Sequence, residues 1–148
     1  ISIGIVAEDG REYYAEPDDI DVSTLSYWLK ANVVPHLKGP RKPRQQIAQE
    51  IMEFVGDIHY PNNPPEFWAY FADYDWVLFC QLFGGMLNLP SGWPMLCFDL
   101  KQMAVQMGIQ RALFPKQEGT LHNALEDAKW NKQVHEFLNS WLQRLGNS

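Results

Sequence analysis

Cysteine is scarce in this sequence, since Cys80 and Cys97 are the only two in 148 residues. Each lies in an apolar run, no Cys-x-x-Cys pair is present, and the 4 histidines are scattered. Zinc sites need clustered thiolates and imidazoles, so a zinc-binding protein is disfavoured. A disulfide is the alternative, but we predict two buried free thiols in a reducing compartment.

An excess of positive charge is also missing, because the net charge is −6 and the sequence pI is about 5.1. Duplex binding without sequence preference depends on many contacts of lysine and arginine with phosphates, so that class is disfavoured. An enzyme that meets phosphate through bound cations is still allowed, because its acidic groups would be metal ligands. No apolar run reaches the ~20 residues that span a bilayer, so we expect a cytoplasmic protein with no membrane partner.

The remaining composition is that of a globular protein, with 46% hydrophobic and 20% charged residues. Its length favours one domain over residues 1–148. Alternating residues from Ile1 to Ala7, then Asp9-Gly10 and Arg11–Ala15, predict a β-hairpin. Strands and helices then alternate, which predicts an α/β fold with a mixed sheet. Helices are expected at 23–33 with Ser23 as N-cap, 44–55, 75–83, 99–107 and from 123 onward, and strands at 67–71 and 95–97.

Residues His122 to Asp127 open the last predicted helix. Asn123 is a good N-cap, and Glu126 three residues later resembles a capping-box partner. In that register His122 precedes the cap and Asp127 is the fourth helical residue, two positions whose side chains can meet. An N-cap at Thr120 would instead place His122 about 140° around the helix from Asp127. Taken singly, each has a simpler explanation, an exposed loop histidine and a carboxylate favoured by the helix dipole.

Asp75 lies where a predicted strand turns into a helix, the edge at which α/β proteins tend to place their sites. We prefer it to Asp73 because an aromatic residue precedes it and an apolar run follows. The simpler alternative is that Asp75 caps its helix, as we expect Asp99 to do for the next one. Trp76 and Phe79 either stack on a terminal base or pack in the core, with the core favoured for Phe79 and neither favoured for Trp76.

A cluster of cations lies among glycine and proline at residues 36–44, namely Lys38, Arg41, Lys42 and Arg44. A basic loop of this kind can contact a nucleic-acid backbone. We favour the alternative, a solvated loop whose charges flank the following helix.

Two of these features, in this order, resemble a known enzyme family. Tyr74-Asp75 followed by a helix, and His122-x4-Asp127 opening the last helix, look like the second and third motifs of the DEDDh 3′-5′ exonucleases. The resemblance covers nearly the whole chain in element order. It is closest to the bacterial polyadenylate-specific 3′-exoribonuclease group, through residues 1–15 and 74–84, whereas ribonuclease T and oligoribonuclease are more distant.

The resemblance implies a ribonuclease-H-like fold and a two-metal mechanism. Two Mg²⁺ or Mn²⁺ ions would be held by four carboxylates, of which Asp75 and Asp127 would be two. His122 would be the general base that takes a proton from the attacking water. The substrate would be the 3′ end of single-stranded RNA, adenylate-rich ends included, with Trp76 near the terminal base. Family relatives are commonly dimers, so a homodimer is expected.

The family's first motif, Asp-x-Glu on the first strand, does not occur in this sequence. Asp19-Ile-Asp21 and Asp73-Tyr-Asp75 have the spacing but stand in the wrong context. We therefore expect an N-terminally truncated chain, inactive alone, with the missing strand just upstream of Ile1. The rival hypothesis is a non-catalytic ribonuclease-H-like module that binds nucleic acid or a protein partner.

Overall fold

The computed structural model describes residues 1–56, 64–118 and 122–146. The chain forms two compact units, one from Ile1–Gly56 with Gln117–Lys129 and one from Asp57–Lys116 with Trp130–Ser148. Both mix helices with short strands, so the predicted α/β class is confirmed. None of the helices in the described part of the chain has the length and apolar character needed to cross a membrane.

A three-stranded sheet organises the first unit. Strands β1 (Ile3–Val6) and β2 (Glu12–Pro17) form an antiparallel hairpin, and β3 (Arg41–Lys42) pairs in parallel with the end of β2. At the hairpin turn Gly10 has a φ of 91°, a left-handed value that a residue without Cβ adopts freely. The hairpin prediction is therefore confirmed.

Two helices of the first unit follow the hairpin. The second of them, α2 (Arg44–Val55), has the predicted bounds and buries Ile47, Ala48 and Ile51 on the face that packs against β2. The first, α1 (Tyr27–Asn32), starts later than predicted. Ser23 is not its N-cap, because Asp21 accepts from the Ser23 N–H and closes a separate 3₁₀ turn, and Ser26 caps the helix instead.

A buried acid, Glu16, connects β2 to the segment that precedes β3. Only 1% of Glu16 is exposed. Its Oε1 accepts from the Tyr14 hydroxyl at 2.8 Å and from the Gly39 N–H at 2.7 Å, and Arg41 Nε lies 3.7 Å from Oε2. A Cβ on Gly39 would overlap the Tyr14 ring, so this residue must be small.

The second unit contains two strand–helix junctions. Strands β4 (Trp68–Ala69) and β5 (Phe98–Asp99) pair in parallel, with the Trp68 and Phe98 rings stacked at 4.6 Å. They lead into α3 (Ala72–Leu82) and α4 (Leu100–Gln106). Each junction therefore carries one of the acids that the sequence singled out, Asp75 or Asp99.

The last helix, α5, runs over Ala124–Gly146. From Trp130 onward it contributes to the main core cluster, formed by Leu100, Ala104, Ile109, Phe114, Trp130, Val134 and Leu138. Its first turn lies against Gly4 of β1, where an added Cβ would overlap the backbone of Ala124 and Leu125. The remaining described elements are 3₁₀ turns at Val22–Thr24, Val34–His36, Met86–Asn88 and Arg111–Leu113.

Three bounds predicted for the second unit are wrong. The strand expected at 67–71 is only Trp68–Ala69, because Phe71 has a left-handed φ of 59° and serves as the N-cap of α3. Since α3 begins at Ala72, Asp75 lies inside the first turn and is not its cap. The strand expected at 95–97 is instead Phe98–Asp99, whose register is set by pairing with β4.

Candidate functional site

The start of α5 has the predicted cap. Asn123 Oδ1 accepts from the N–H groups of Leu125 at 3.0 Å and Glu126 at 3.2 Å, and the Asp127 N–H donates to the Asn123 carbonyl oxygen at 2.9 Å. His122 therefore precedes the cap, and Asp127 is the fourth helical residue. The alternative cap, Thr120, lies outside the described residues. The Glu126 carboxylate accepts from Lys129 at 3.0 Å.

Asp127 is half-buried, and Gln117 Nε2 donates to its Oδ1 at 2.6 Å. Burial raises the pKa of this carboxyl above its usual value, while the Gln117 hydrogen bond and the charge of His122 oppose that shift. The charge of His122 thus acts on Asp127, the pair that the cap register predicted to lie near each other. Burial disfavours the charged form of this carboxyl group, and a nearby cation would stabilise that form.

His122 is exposed, and its backbone has a φ of 67°. Left-handed backbone in a residue other than glycine is uncommon, and histidine is among the side chains that tolerate it better. The imidazole packs against the Trp28 ring, with centroids 4.9 Å apart and planes at 79°. The ring is therefore exposed on one side and supported on another.

In the second unit, Asp75 is exposed and shares the first turn of α3 with Asp73. The start of this helix is held by Asp99, whose Oδ2 accepts from the Ala72 N–H at 2.7 Å. Asp99 Oδ1 also accepts from the Gln102 N–H at 2.9 Å, so its predicted role as a cap of α4 is confirmed. One carboxylate thus fixes the first turns of both helices.

Trp76 is half-buried in a cluster of aromatic rings. Its ring stacks on that of Phe79, with centroids 5.3 Å apart, and makes a tilted contact with Phe67 at 5.4 Å. Phe79 in turn stacks on Trp93. These contacts give Trp76 a packing role. Its Nε1 is buried and has no hydrogen-bond partner among the described residues, so one donor of this cluster is available to an acceptor.

Most of the basic side chains of residues 36–44 are engaged with carboxylates. Lys42 pairs with Glu50 at 2.6 Å and Arg44 with Asp19 at 2.7 Å, in addition to the Arg41 contact with Glu16. The contacts of these side chains therefore agree better with charges that flank a helix than with a basic loop that binds a nucleic-acid backbone.

Both cysteines are free, as predicted, but only Cys80 is buried, whereas Cys97 is half-buried. Burial raises the pKa of the Cys97 thiol to about 12 and also raises that of Cys80. Both thiols stay protonated near neutral pH and are poor metal ligands. Across residues 1–56, 64–118 and 122–146, no group of three or more His, Cys, Asp or Glu side chains is arranged to hold a metal ion.

Three contributing residues were missed from the sequence. The sequence predicted no role for Trp28 or Gln117, and it assigned Asp99 to its own helix alone. None is near its partner in the chain, since Gln117 is ten residues from Asp127 and Asp99 is 27 residues from Ala72. Only the folded chain brings such pairs together.

The comparisons with known proteins support the class of 3′-5′ exoribonucleases. The family model described as "3'-5' exoribonuclease Rv2179c-like domain" matches residues 1–139. The "3'-5' exoribonuclease Rv2179c" of Mycobacterium tuberculosis H37Rv is 38% identical over 133 residues, which cover 87% of this chain and 77% of that protein. The "3'-5' exoribonuclease MT2234.1" of strain CDC 1551 gives the same values. The chain therefore belongs to the Rv2179c-like 3′-5′ exoribonuclease domain family.

Proposed function

We propose that this protein is a metal-dependent 3′-5′ exoribonuclease that hydrolyses the last phosphodiester of single-stranded RNA. The observation that supports the proposal is the start of α5, where the exposed His122 immediately precedes the Asn123 cap and its charge acts on the half-buried Asp127. Family membership supplies the reaction class, because the relatives are named 3′-5′ exoribonucleases.

Asp75 and Asp127 are the residues that would hold divalent cations. Carboxylate oxygens are the ligands that Mg²⁺ and Mn²⁺ prefer, so the donor type fits. The raised pKa of Asp127 fits as well, because a nearby cation would favour its charged form. Two ions bound as in other two-metal nucleases would lower the pKa of a water molecule and stabilise charge on the leaving oxygen.

His122 would take the proton from the attacking water. Imidazole is the side chain most often used as a general base, and this one is accessible to substrate. It lies one residue before the cap, outside the helix, and its charge acts on Asp127. The ribonuclease-H-like topology that this role implies is part of the proposal.

Recognition of RNA would come from the α3 side of the molecule. Trp76 has a buried Nε1 donor with no partner among the described residues, which would suit a substrate oxygen, and in this hypothesis its ring lies near the terminal base. Adenylate-rich ends are the substrate class that we propose.

The exposed Tyr74, Val77 and Leu78 on α3 suit burial against a second copy, which supports a homodimer.

The test is digestion of 5′-labelled single-stranded RNA by the purified full-length protein. We expect shortening from the 3′ end with Mg²⁺, none with a chelator, and a loss of about 10²–10⁴-fold in kcat for His122→Ala. Asp127→Asn and Asp75→Asn are expected to lose activity and Mg²⁺ binding together. Glu136→Gln is the control, because it removes an exposed acid farther along the same helix.

Two outcomes would contradict the proposal. Undiminished kcat in His122→Ala would remove the proposed base. RNA binding without any hydrolysis would favour the rival, a non-catalytic module.

A further inference from the structure

An exposed tryptophan lies against the proposed general base. Trp28 of α1 contacts His122 in an edge-to-face arrangement, with ring centroids 4.9 Å apart and planes at 79°. Trp28 is 52% exposed, although tryptophan normally buries most of its surface. A large apolar ring held at the surface against a histidine suggests a role beyond core packing.

Both rings are attached to backbone that is held in place. The helix of Trp28 is capped by Ser26, and the Trp28 carbonyl oxygen accepts from Asn32 Nδ2 at 2.9 Å. On the other side, His122 has its left-handed backbone immediately before the Asn123 cap. The contact therefore joins the first turn of α1 to the residue that precedes the cap of α5.

We infer that Trp28 is a positioning residue that holds the His122 imidazole in the orientation from which it accepts the proton of the attacking water. This inference rests on the proposed function, in which His122 is the general base. An exposed histidine exchanges among several rotamers, and a base works only within hydrogen-bond reach of the proton that it removes. Packing against one ring selects an orientation before the substrate binds.

Direct stacking of Trp28 on an RNA base is the competing role. Exposed aromatic rings bind bases in many single-strand binding proteins. Here, however, the Trp28 ring already has an aromatic neighbour in His122, whereas the adjacent Tyr27 is 88% exposed. If the surface of α1 served mainly to stack on RNA, Tyr27 would be the more accessible ring. The two residues therefore make a matched pair.

Steady-state kinetics of the full-length protein on single-stranded RNA separate the two roles. For Trp28→Ala we expect kcat to fall about 10- to 100-fold with KM changed less than about twofold, because a misplaced base slows the chemical step. Trp28→Phe keeps a ring and should retain kcat within about threefold. Trp28→Leu keeps apolar bulk without a ring, and the same loss of kcat is expected for it. It therefore serves as the test if Trp28→Ala folds poorly. Tyr27→Ala should match the wild type.

A double-mutant cycle then asks whether Trp28 acts through His122. In a His122→Ala background, Trp28→Ala should cause no further loss of kcat, because the base is already absent. Additive losses, or a raised KM with kcat intact, would overturn the inference in favour of RNA stacking. His122→Ala alone tests the proposed function, so the two failures are distinguishable.

NMR of the histidine ring gives a readout that needs no activity. The Trp28 ring current should shift the His122 ring protons, and Trp28→Ala should move those resonances toward exposed-histidine values and narrow them as the ring gains freedom. Tyr27→Ala should leave them in place. Unchanged His122 resonances in Trp28→Ala would overturn the inference even if the protein showed no nuclease activity.

Discussion

Asn123 links backbone geometry to chemistry at the scale of single residues. Its side chain accepts hydrogen bonds from two N–H groups at the start of α5, which leaves His122 outside the helix and fixes the register of Asp127. This was predictable because a cap is a local rule that depends on only a few neighbouring residues. The support from Trp28 and Gln117 was not predictable, because it depends on contacts between distant segments.

Glu16 is a second residue with more influence than the sequence suggests. Replacing it with alanine would leave the part-buried Tyr14 hydroxyl and Gly39 N–H without this acceptor. A fully buried unsatisfied donor costs about 1–3 kcal/mol, and these two are only part-buried, so we expect Glu16→Ala to lower the free energy of unfolding by about 2–4 kcal/mol in total. Urea titration followed by far-ultraviolet circular dichroism measures this.

Matched variants separate burial from charge. Glu16→Gln keeps one acceptor and should lose about half as much. Glu12→Ala, on the same strand, removes an exposed ion pair with Lys129 and should change stability by less than about 1 kcal/mol. Equal losses for Glu12→Ala and Glu16→Ala would show that the buried contacts contribute little.

At the scale of secondary-structure elements, α3 and α4 share one anchor. Asp99 accepts from the first N–H of α3 and from the Gln102 N–H in α4, so both first turns depend on the same carboxylate. Asp75 lies in the first turn of α3 and takes its position from that anchor. Asp99, which is not a proposed metal ligand, thereby helps to position Asp75, which is one.

We expect Asp99→Ala to lower the free energy of unfolding by about 2–3 kcal/mol, the sum of a lost cap and an orphaned N–H. The affinity for Mg²⁺ should fall as well, because the start of α3 loosens around Asp75. Asp99→Asn keeps one acceptor oxygen and should give intermediate values. Isothermal titration with Mg²⁺ and urea titration measure the two effects, and an unchanged Mg²⁺ affinity in Asp99→Ala would contradict the link.

The longer elements were predictable, and the short strands were not. The bounds of α2 follow from the periodicity of its apolar residues and the proline before it, and those signals are local. Strands β4 and β5 have two residues each, too few for a pattern, so their positions depend on pairing with each other. The apolar run at Met95 and Leu96 misled the prediction because these side chains are 58% and 48% exposed.

At the scale of the whole molecule, the motif order predicted a 3′-5′ exonuclease acting on RNA, and the family match confirms the 3′-5′ exoribonuclease class. The matched region covers residues 1–139, and the motifs at Asp75 and at His122–Asp127 both lie inside it. The sequence also predicted the mixed α/β class, through one hairpin and alternating helices. What it left open was how distant segments support the candidate residues, because that information is contained in contacts such as those of Trp28 and Asp99.

The close approach of Gly4 to the start of α5 has a consequence for mutational scanning. Any side chain at Gly4 would displace the backbone of Ala124 and Leu125, and with it the cap that orients His122. We expect Gly4→Ala to reduce nuclease activity about 10-fold or more, as a shift of about 1 Å near the chemistry does. Gly10→Ala, where an added Cβ meets open space, should affect only local strain. In a selection for activity, Gly4 would then score among the active-site positions although it has no side chain.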